Sequence, residues 1–180
     1  MPYEANAIAN YFLDRAASEG KSLDQMKLQK LVYLANGWHL VFKNKPLLDE
    51  QVEAWLYGPV IPSLRDSFRI YGDQPITSPA SYLVPKRGTN LIDEIEEVVP
   101  TIDQGNPPDL PFVKSLLDRV WQVYGKYSGV QLSNMTHEPG TPWDEVNRQY
   151  HGGIPKGTDI PAESMREYFQ SLAKKKVRTG

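Results

Sequence analysis

Residues 28–41, LQKLVYLANGWHLV, place Leu28, Leu31, Val32, Leu34, Ala35, Trp38, Leu40 and Val41 most of the way round a helix. A surface helix shows one apolar stripe, whereas a helix apolar on nearly every face must be enclosed by the rest of the chain. This segment therefore limits the fold to arrangements that wrap a central helix. Its start fits a capping box at Ser22-Leu23-Asp24-Gln25, in which the Ser22 hydroxyl and the Gln25 side chain satisfy free amides, and its pattern runs to about Phe42. Gly37 lies inside it. Glycine there costs on the order of 1 kcal/mol of helix propensity against alanine, which suggests close packing or contact at that point.

The flanking segments supply the wrapping. Ala5, Ile8, Ala9, Phe12, Leu13 and Ala16 repeat at helical spacing, and Gly20 is placed to end that helix. Pro62 can open a short helix carrying Leu64, Phe68 and Tyr71, with Gly72 as its stop. Phe112, Val113, Leu116, Leu117, Val120, Trp121 and Tyr124 form a broad helical face. Ser128 is placed to cap a short helix with Leu132 and Met135, and Pro142 to open another at PWDEVNRQY. Met165, Tyr168, Phe169 and Leu172 mark a terminal helix ending in the basic run 174–178.

Strand character is confined to residues 51–57, where Val52, Ala54 and Leu56 alternate with Glu53, Trp55 and Tyr57. Pro59 and Pro62 are expected to close that strand, since neither donates to a ladder. Residues 73–111 are interrupted by Pro75, Pro79, Pro85, Pro100, Pro107, Pro108 and Pro111, and read as a long, partly extended excursion with room for one short helix. Leu91, Ile92, Ile95 and Val98 make it too apolar for a free linker. The expected fold is mainly α: one compact multi-helix domain over residues 1–180 with a short strand or small β-sheet element.

Composition narrows the function. Hydrophobic residues make up 40% and charged residues 23%, which supports a packed core rather than disorder. The formal net charge of -2 argues against a protein that coats nucleic acid through bulk charge. Without cysteine there is no disulfide and no thiolate metal site. The start, MPYEANAIANYF, has an early acid and lacks the pattern of a signal peptide, and no apolar stretch is long enough for a bilayer, so a soluble cytoplasmic protein is expected.

No catalytic motif stands out. His39, His137 and His151 lack the close spacing of a metal-binding helix, and no metal or cofactor is expected. No serine sits in a GxSxG elbow. HGGIPKGTD, residues 151–159, offers glycines and Lys156 to a phosphate, but its spacing is not that of a P-loop and a surface loop is the simpler reading. Lys27 and Lys30 break a local rule, because the helix macrodipole disfavours positive charge in the first turns of the Ser22-capped helix. Either they mark a functional site or each pairs with a carboxylate such as Asp24 or Glu53. Trp38, Trp55, Trp121 and Trp143 read first as core.

Three stretches carry a family resemblance: MKLQKLVYLANGWHL (26–40), PLLDEQVEAWLYGPVIPSL (46–64) and LSNMTHEPGTPW (132–143). Their KLQKL, GWH, acid-before-W-x-YGPV-x-P, LS-x-x-TH and PW elements resemble the Panacea domain family, also described as SocA-like antitoxins or phage-associated GepA-type proteins. The matching positions are Lys27, Leu28, Gln29, Lys30 and Leu31; Gly37, Trp38 and His39; Glu53, Trp55, Tyr57, Gly58, Pro59, Val60 and Pro62; and Leu132, Ser133, Thr136, His137, Pro142 and Trp143. The chain departs from the pattern in its long 73–111 stretch and in Leu56, where lysine is often expected.

The resemblance implies a mainly helical antitoxin that neutralises a cognate protein toxin by direct contact and catalyses no reaction. One branch of the family presents its toxin to the ClpXP protease. On this reading Trp55 and the YGP turn pack against the Trp38-His39 segment to hold a shared scaffold, and toxin choice lies on less regular surfaces such as 73–111. Two other classes stay open: a DNA-binding regulator of its own operon, although no recognition helix with clustered Arg, Asn or Gln is visible, and an enzyme with a cleft around Lys27, Lys30, His39, Glu53 or His137.

Overall fold

The computed structural model describes residues 1–88 and 94–179. Two helices come first, α1 (Ala5–Ser18) and α2 (Gln25–Lys43), and α2 is the axis of the molecule. Around it stand α1, α3 (Pro62–Phe68), α4 (Leu110–Tyr124), α5 (Gly129–His137) and α7 (Ala162–Thr179), with the short strand β2 (Gly58–Val60) laid against it. The remaining helix, α6 (Pro142–Gln149), packs on α5 and α7. The fold is mainly α with small β elements, and Phe12, Leu28, Leu31, Leu117 and Phe169 lie in one contiguous buried cluster. Among the described residues no helix is long and apolar enough to cross a membrane.

The boundaries of α2 follow from its caps. Asp24, not Ser22, is the N-cap: its carboxylate accepts from Lys27 N at 2.8 Å, while Ser22 is exposed and Gln25 donates to the Gly72 carbonyl at 2.6 Å. Aspartate satisfies a free amide as well as serine does, and its charge suits the positive end of the dipole. Asn44, in the left-handed region at φ 54°, ends the helix. The capping box expected at Ser22 occurs instead at Ser128 and Gln131, at the start of α5. Pro62, Pro111 and Pro142 all lie in the first turn of a helix, where a missing amide costs nothing.

The β structure differs from the expected lone strand. Residues β1 (Glu53–Trp55) and β2 form an antiparallel hairpin with Trp55 opposite Gly58 and Leu56-Tyr57 at the tip. Pro59 thus lies within a strand rather than ending one. Its partner Ala54 sends its amide the other way, to the Thr158 carbonyl at 2.8 Å, so the proline is not asked for a donor. Ile160 N donates to the Val52 carbonyl, and Asp159 bridges Glu53, so the end of the 151–159 loop covers the outer edge of β1.

In the Pro-rich excursion the short helix is replaced by a second hairpin, β3 (Tyr82–Pro85) with β4 (Ile95–Val98), where Tyr82 faces Val98 and Pro85 faces Ile95. Aromatic and β-branched cross-strand pairs favour the extended form. Leu91 and Ile92 lie outside the described residues. The excursion is tied down at its base: buried Asn10 of α1 donates to the carbonyls of Ala80 and Pro100, each at 3.0 Å, and accepts from Ala80 N at 2.8 Å. Ile76 and Ile102 are buried to either side.

Gly37 is where α7 crosses α2. A Cβ at that position would lie 2.2 Å from a ring carbon of Phe169, whose ring also meets Trp38 edge-on at 5.3 Å. Alanine would gain about 1 kcal/mol of helix propensity but overpack the crossing by about 1–3 kcal/mol. Gly37→Ala is expected to lower the thermal midpoint, and Phe169→Leu is expected to make the same substitution less costly, a coupling that a double-mutant cycle of urea denaturation measures.

Candidate functional site

The β1–β2 hairpin is held from beneath by two neighbouring side chains of α2. Gln29 grips Ile61 in both directions, its Nε2 donating to the carbonyl and its Oε1 accepting from the amide, each at 2.9 Å. Lys30 Nζ donates to the carbonyls of Pro59 at 2.8 Å and Tyr57 at 3.2 Å. Lys30 is only 3% exposed, and burial pushes its ammonium down to about 7. Among the described residues no carboxylate lies within ion-pair distance of it, and neutral carbonyls are its hydrogen-bond acceptors.

Helices α5 and α6 hold the hairpin from the side. Ser133 Oγ donates to the Tyr57 carbonyl at 3.2 Å, and Trp143 Nε1 donates to the Trp55 carbonyl at 2.6 Å. The His137 ring packs against Trp143 at a tilt of 55° with centroids 4.2 Å apart, its Nδ1 lies 2.6 Å from the Ser133 carbonyl, and its Nε2 faces the Leu56 carbonyl at 3.4 Å. Thr136 donates to the Ser133 carbonyl, and its own carbonyl accepts from Thr141. Gly58 sits at the focus. Its φ is 105°, and a Cβ there would come within 2.9 Å of Thr136 Oγ1, 3.0 Å of His137 and 3.1 Å of Lys30 Nζ.

These contacts fix the backbone and leave the tip bare: Leu56 is 74% exposed and Tyr57 is 71% exposed. The alternation that placed Leu56 on one face with Val52 and Ala54 breaks at the turn. A cleft of about 700 Å³ opens on one side of the tip, lined by Met26, Gln29, Lys30, Trp55, Val60, Arg65 and Val130 among others. A smaller one of about 440 Å³ lies on the other side, between Leu56, Trp143 and Ile154. Trp55 is braced between them, its Nε1 donating to Glu53 at 2.7 Å and its ring covered by the Arg65 guanidinium at 5.0 Å.

The structure therefore gathers Gln29, Lys30, Glu53, Trp55, Tyr57, Gly58, Pro59, Ser133, Thr136, His137 and Trp143 around one hairpin, with Pro62 opening α3 at its exit. Gly37, Trp38 and His39 have other roles. Trp38 packs on Phe169 and donates to the Tyr124 hydroxyl at 3.2 Å, and His39 is buried with Nδ1 2.8 Å from the Lys45 carbonyl. The expected packing of Trp55 and the YGP turn on Trp38-His39 is thus replaced by docking on Lys30, Ser133 and His137, because backbone carbonyls in the turn seek the donors of α2 and α5. Lys27 also points elsewhere, donating to Gly125 at the end of α4 at 2.6 Å and lying 5.6 Å over the Trp121 ring. Neither lysine pairs with Asp24 or Glu53. Lys27 answers the negative end of another helix dipole, which offsets its poor position on its own helix.

Residues 28–144 match the family model for the antitoxin SocA-like Panacea domain. The chain belongs to the SocA-like antitoxin family. A curated relative, the antitoxin SocA of Caulobacter vibrioides (strain NA1000 / CB15N), is 34% identical over 143 residues, spanning 79% of this chain and 70% of the relative. No solved structure matches the chain. The SocA-like match runs from α2 to the first turn of α6, and so contains the hairpin and every side chain that grips it.

Sequence reasoning missed Arg65, Met26 and Val130 of the larger cleft, Thr158 on the edge of β1, and Asn10 under the excursion. Arg65 and Val130 carry no periodic signal, since each is exposed on its own helix. Asn10 had a signal: it is a polar residue among Ile8, Ala9 and Phe12 in the first helix.

Two consequences are measurable. Gly58→Ala forces a side chain into the left-handed region and against Thr136, and is expected to lower stability in urea by about 1–3 kcal/mol. Lys30 carries a depressed folded pKa, so between about pH 7 and its unfolded value near 10.5 the unfolded chain binds a proton that the folded chain does not. Stability is therefore expected to rise from pH 7 to about pH 9.5, and Lys30→Met to flatten that rise in urea titrations across the same range.

Proposed function

We propose that this protein is an antitoxin that neutralises its cognate toxin by direct protein–protein contact, made at the β1–β2 hairpin. The observation that carries this reading is the contrast between an immobilised backbone and a bare apolar tip, Leu56 and Tyr57. A surface already ordered before binding loses little entropy when it is covered, and large exposed aromatic and aliphatic side chains provide anchors for a partner's pockets. The clefts on both sides give the partner concave surface to fill. Family membership supports the antitoxin role, and no chemical step is required of it.

Another exposed apolar surface, Leu83 and Ile95 on the β3–β4 ribbon, is suited to choosing among toxins. Blockade of the toxin and its delivery to ClpXP both begin from such a complex, formed in the cytoplasm. The test is co-expression with the protein encoded by the reading frame beside its gene. Growth rescue and a stoichiometric complex are expected for the natural chain. The Leu56→Asp/Tyr57→Ser variant is expected to keep its thermal midpoint and lose both. Full rescue and an intact complex in that variant would move the contact away from the hairpin, and rescue without any complex would replace direct binding with control of expression or turnover.

A further inference from the structure

The larger cleft holds a buried amine that the fold leaves without a counter-ion. Lys30 is buried on its wall, and among the described residues its amine donates to the carbonyls of Tyr57 and Pro59. Removing an ammonium from water costs several kcal/mol unless a counter-ion offsets it, and among the described residues no carboxylate lies within 4.0 Å. Arg65 faces the same cleft over Trp55, also without a carboxylate at ion-pair distance. The cleft's own acids are occupied: Asp24 accepts from Lys27 N as the α2 cap, and Asp73 accepts from Gln74 Nε2. Between these charges the wall is apolar, with Val130 62% exposed and Met26 38% exposed.

We infer that this cleft receives an apolar segment of the partner protein that carries one aspartate or glutamate, whose carboxylate neutralises Lys30. The inference rests on the direct-contact reading above and adds the chemistry of what is bound. A volume of about 700 Å³ falls in the range of ligand-binding clefts, about 300–1,000 Å³, which suits a few residues of extended or helical chain. A basic segment would meet Lys30 and Arg65. A second copy of this chain is an outcome of the test: a cross-link from Val130 in the absence of the partner would overturn this inference. A nucleic-acid backbone would bring several phosphates to two cations and two acids and leave the apolar wall unused.

Complex formation is then coupled to a proton. Lys30 is largely neutral at pH 8.5 in the free protein and becomes charged when a carboxylate arrives, so about one proton is taken up per complex. The other charged and titratable groups near it are Asp24, which caps α2, Lys27 on α2, Glu53 and Tyr57 on the hairpin, Arg65 on α3, Asp73 beyond α3 and His137 on α5.

The test uses the full chain and the protein encoded beside it. A photoreactive benzoylphenylalanine at Val130 is expected to cross-link a partner segment with an acid among apolar residues. Converting that acid to its amide is expected to weaken binding about tenfold or more in the natural chain and to change little in Lys30→Met. Titration calorimetry at pH 8.5 in two buffers of different ionisation enthalpy is expected to show the proton uptake, and to lose it in Lys30→Met. Where Lys30→Met fails to fold, exposed Arg65→Glu serves in its place, with about tenfold weaker binding at low salt and a thermal midpoint lowered no further than in Arg65→Ala, which also loses the contact with the Trp55 ring. A complex with no cross-link from Val130, an acid-free cross-linked segment, or no proton uptake would overturn this inference and leave direct neutralisation standing. No complex at all would overturn both.

Discussion

Enclosing α2 takes Gln29, Lys30, Asn36 and His39 out of water, and each must find its hydrogen bonds on some other part of the chain. Gln29 takes Ile61, Lys30 takes Tyr57 and Pro59, Asn36 Oδ1 accepts from Leu47 N and Leu48 N, and His39 reaches the Lys45 carbonyl. The buried helix thereby fixes the path of residues 45–61 through side-chain-to-backbone bonds. Apolar burial stabilises the assembly, and these few polar contacts set where the irregular segments run.

Seen this way, the hairpin's stiffness comes from its supports more than from its own ladder. A two-stranded ribbon of three residues a side is not stable alone in water. Here its carbonyls at Trp55, Leu56, Tyr57 and Pro59 face donors or ring nitrogens from α2, α5 and α6. Gly58 lets two of those supports, Lys30 and His137, converge with Thr136 on one point where any side chain would hold them apart. Leu56 and Tyr57 project from that fixed frame, so the same contacts that satisfy the backbone keep the apolar tip in solvent.

The helices were legible in the sequence because burial on a helix is periodic, as at Leu28, Leu31, Val32 and Ala35 in α2 and Val113, Leu116, Leu117 and Val120 in α4. The hairpin was only half legible. Val52 and Ala54 alternate as a buried strand face should, but Leu56 continues the pattern in sequence and not in space, since the chain turns there. Pro59 looked like a terminator because a proline's lack of an amide matters only on the bonded side, and the partner of Ala54 N is Thr158, about a hundred residues away. Lys30 announced itself by breaking the dipole rule, yet its partners are backbone carbonyls, which leave no trace in side-chain identity. Most residues of the family motif lie around the hairpin, but the motif does not reveal that Trp38 and His39 serve a different part of the core.

Asn10 has a consequence for how the chain tolerates change. The carbonyls of Ala80 and Pro100 both lie 3.0 Å from its amide nitrogen, so the chain leaves the body and returns to it at a single side chain. Everything between those two residues is closed off by one buried amide. Lengthening such a segment costs only loop-closure entropy, about 0.6 kcal/mol for each doubling, and leaves the packing below untouched. Asn10 thus ties down both ends of the segment, so a change of length between Ala80 and Pro100 need not disturb its bonds to either.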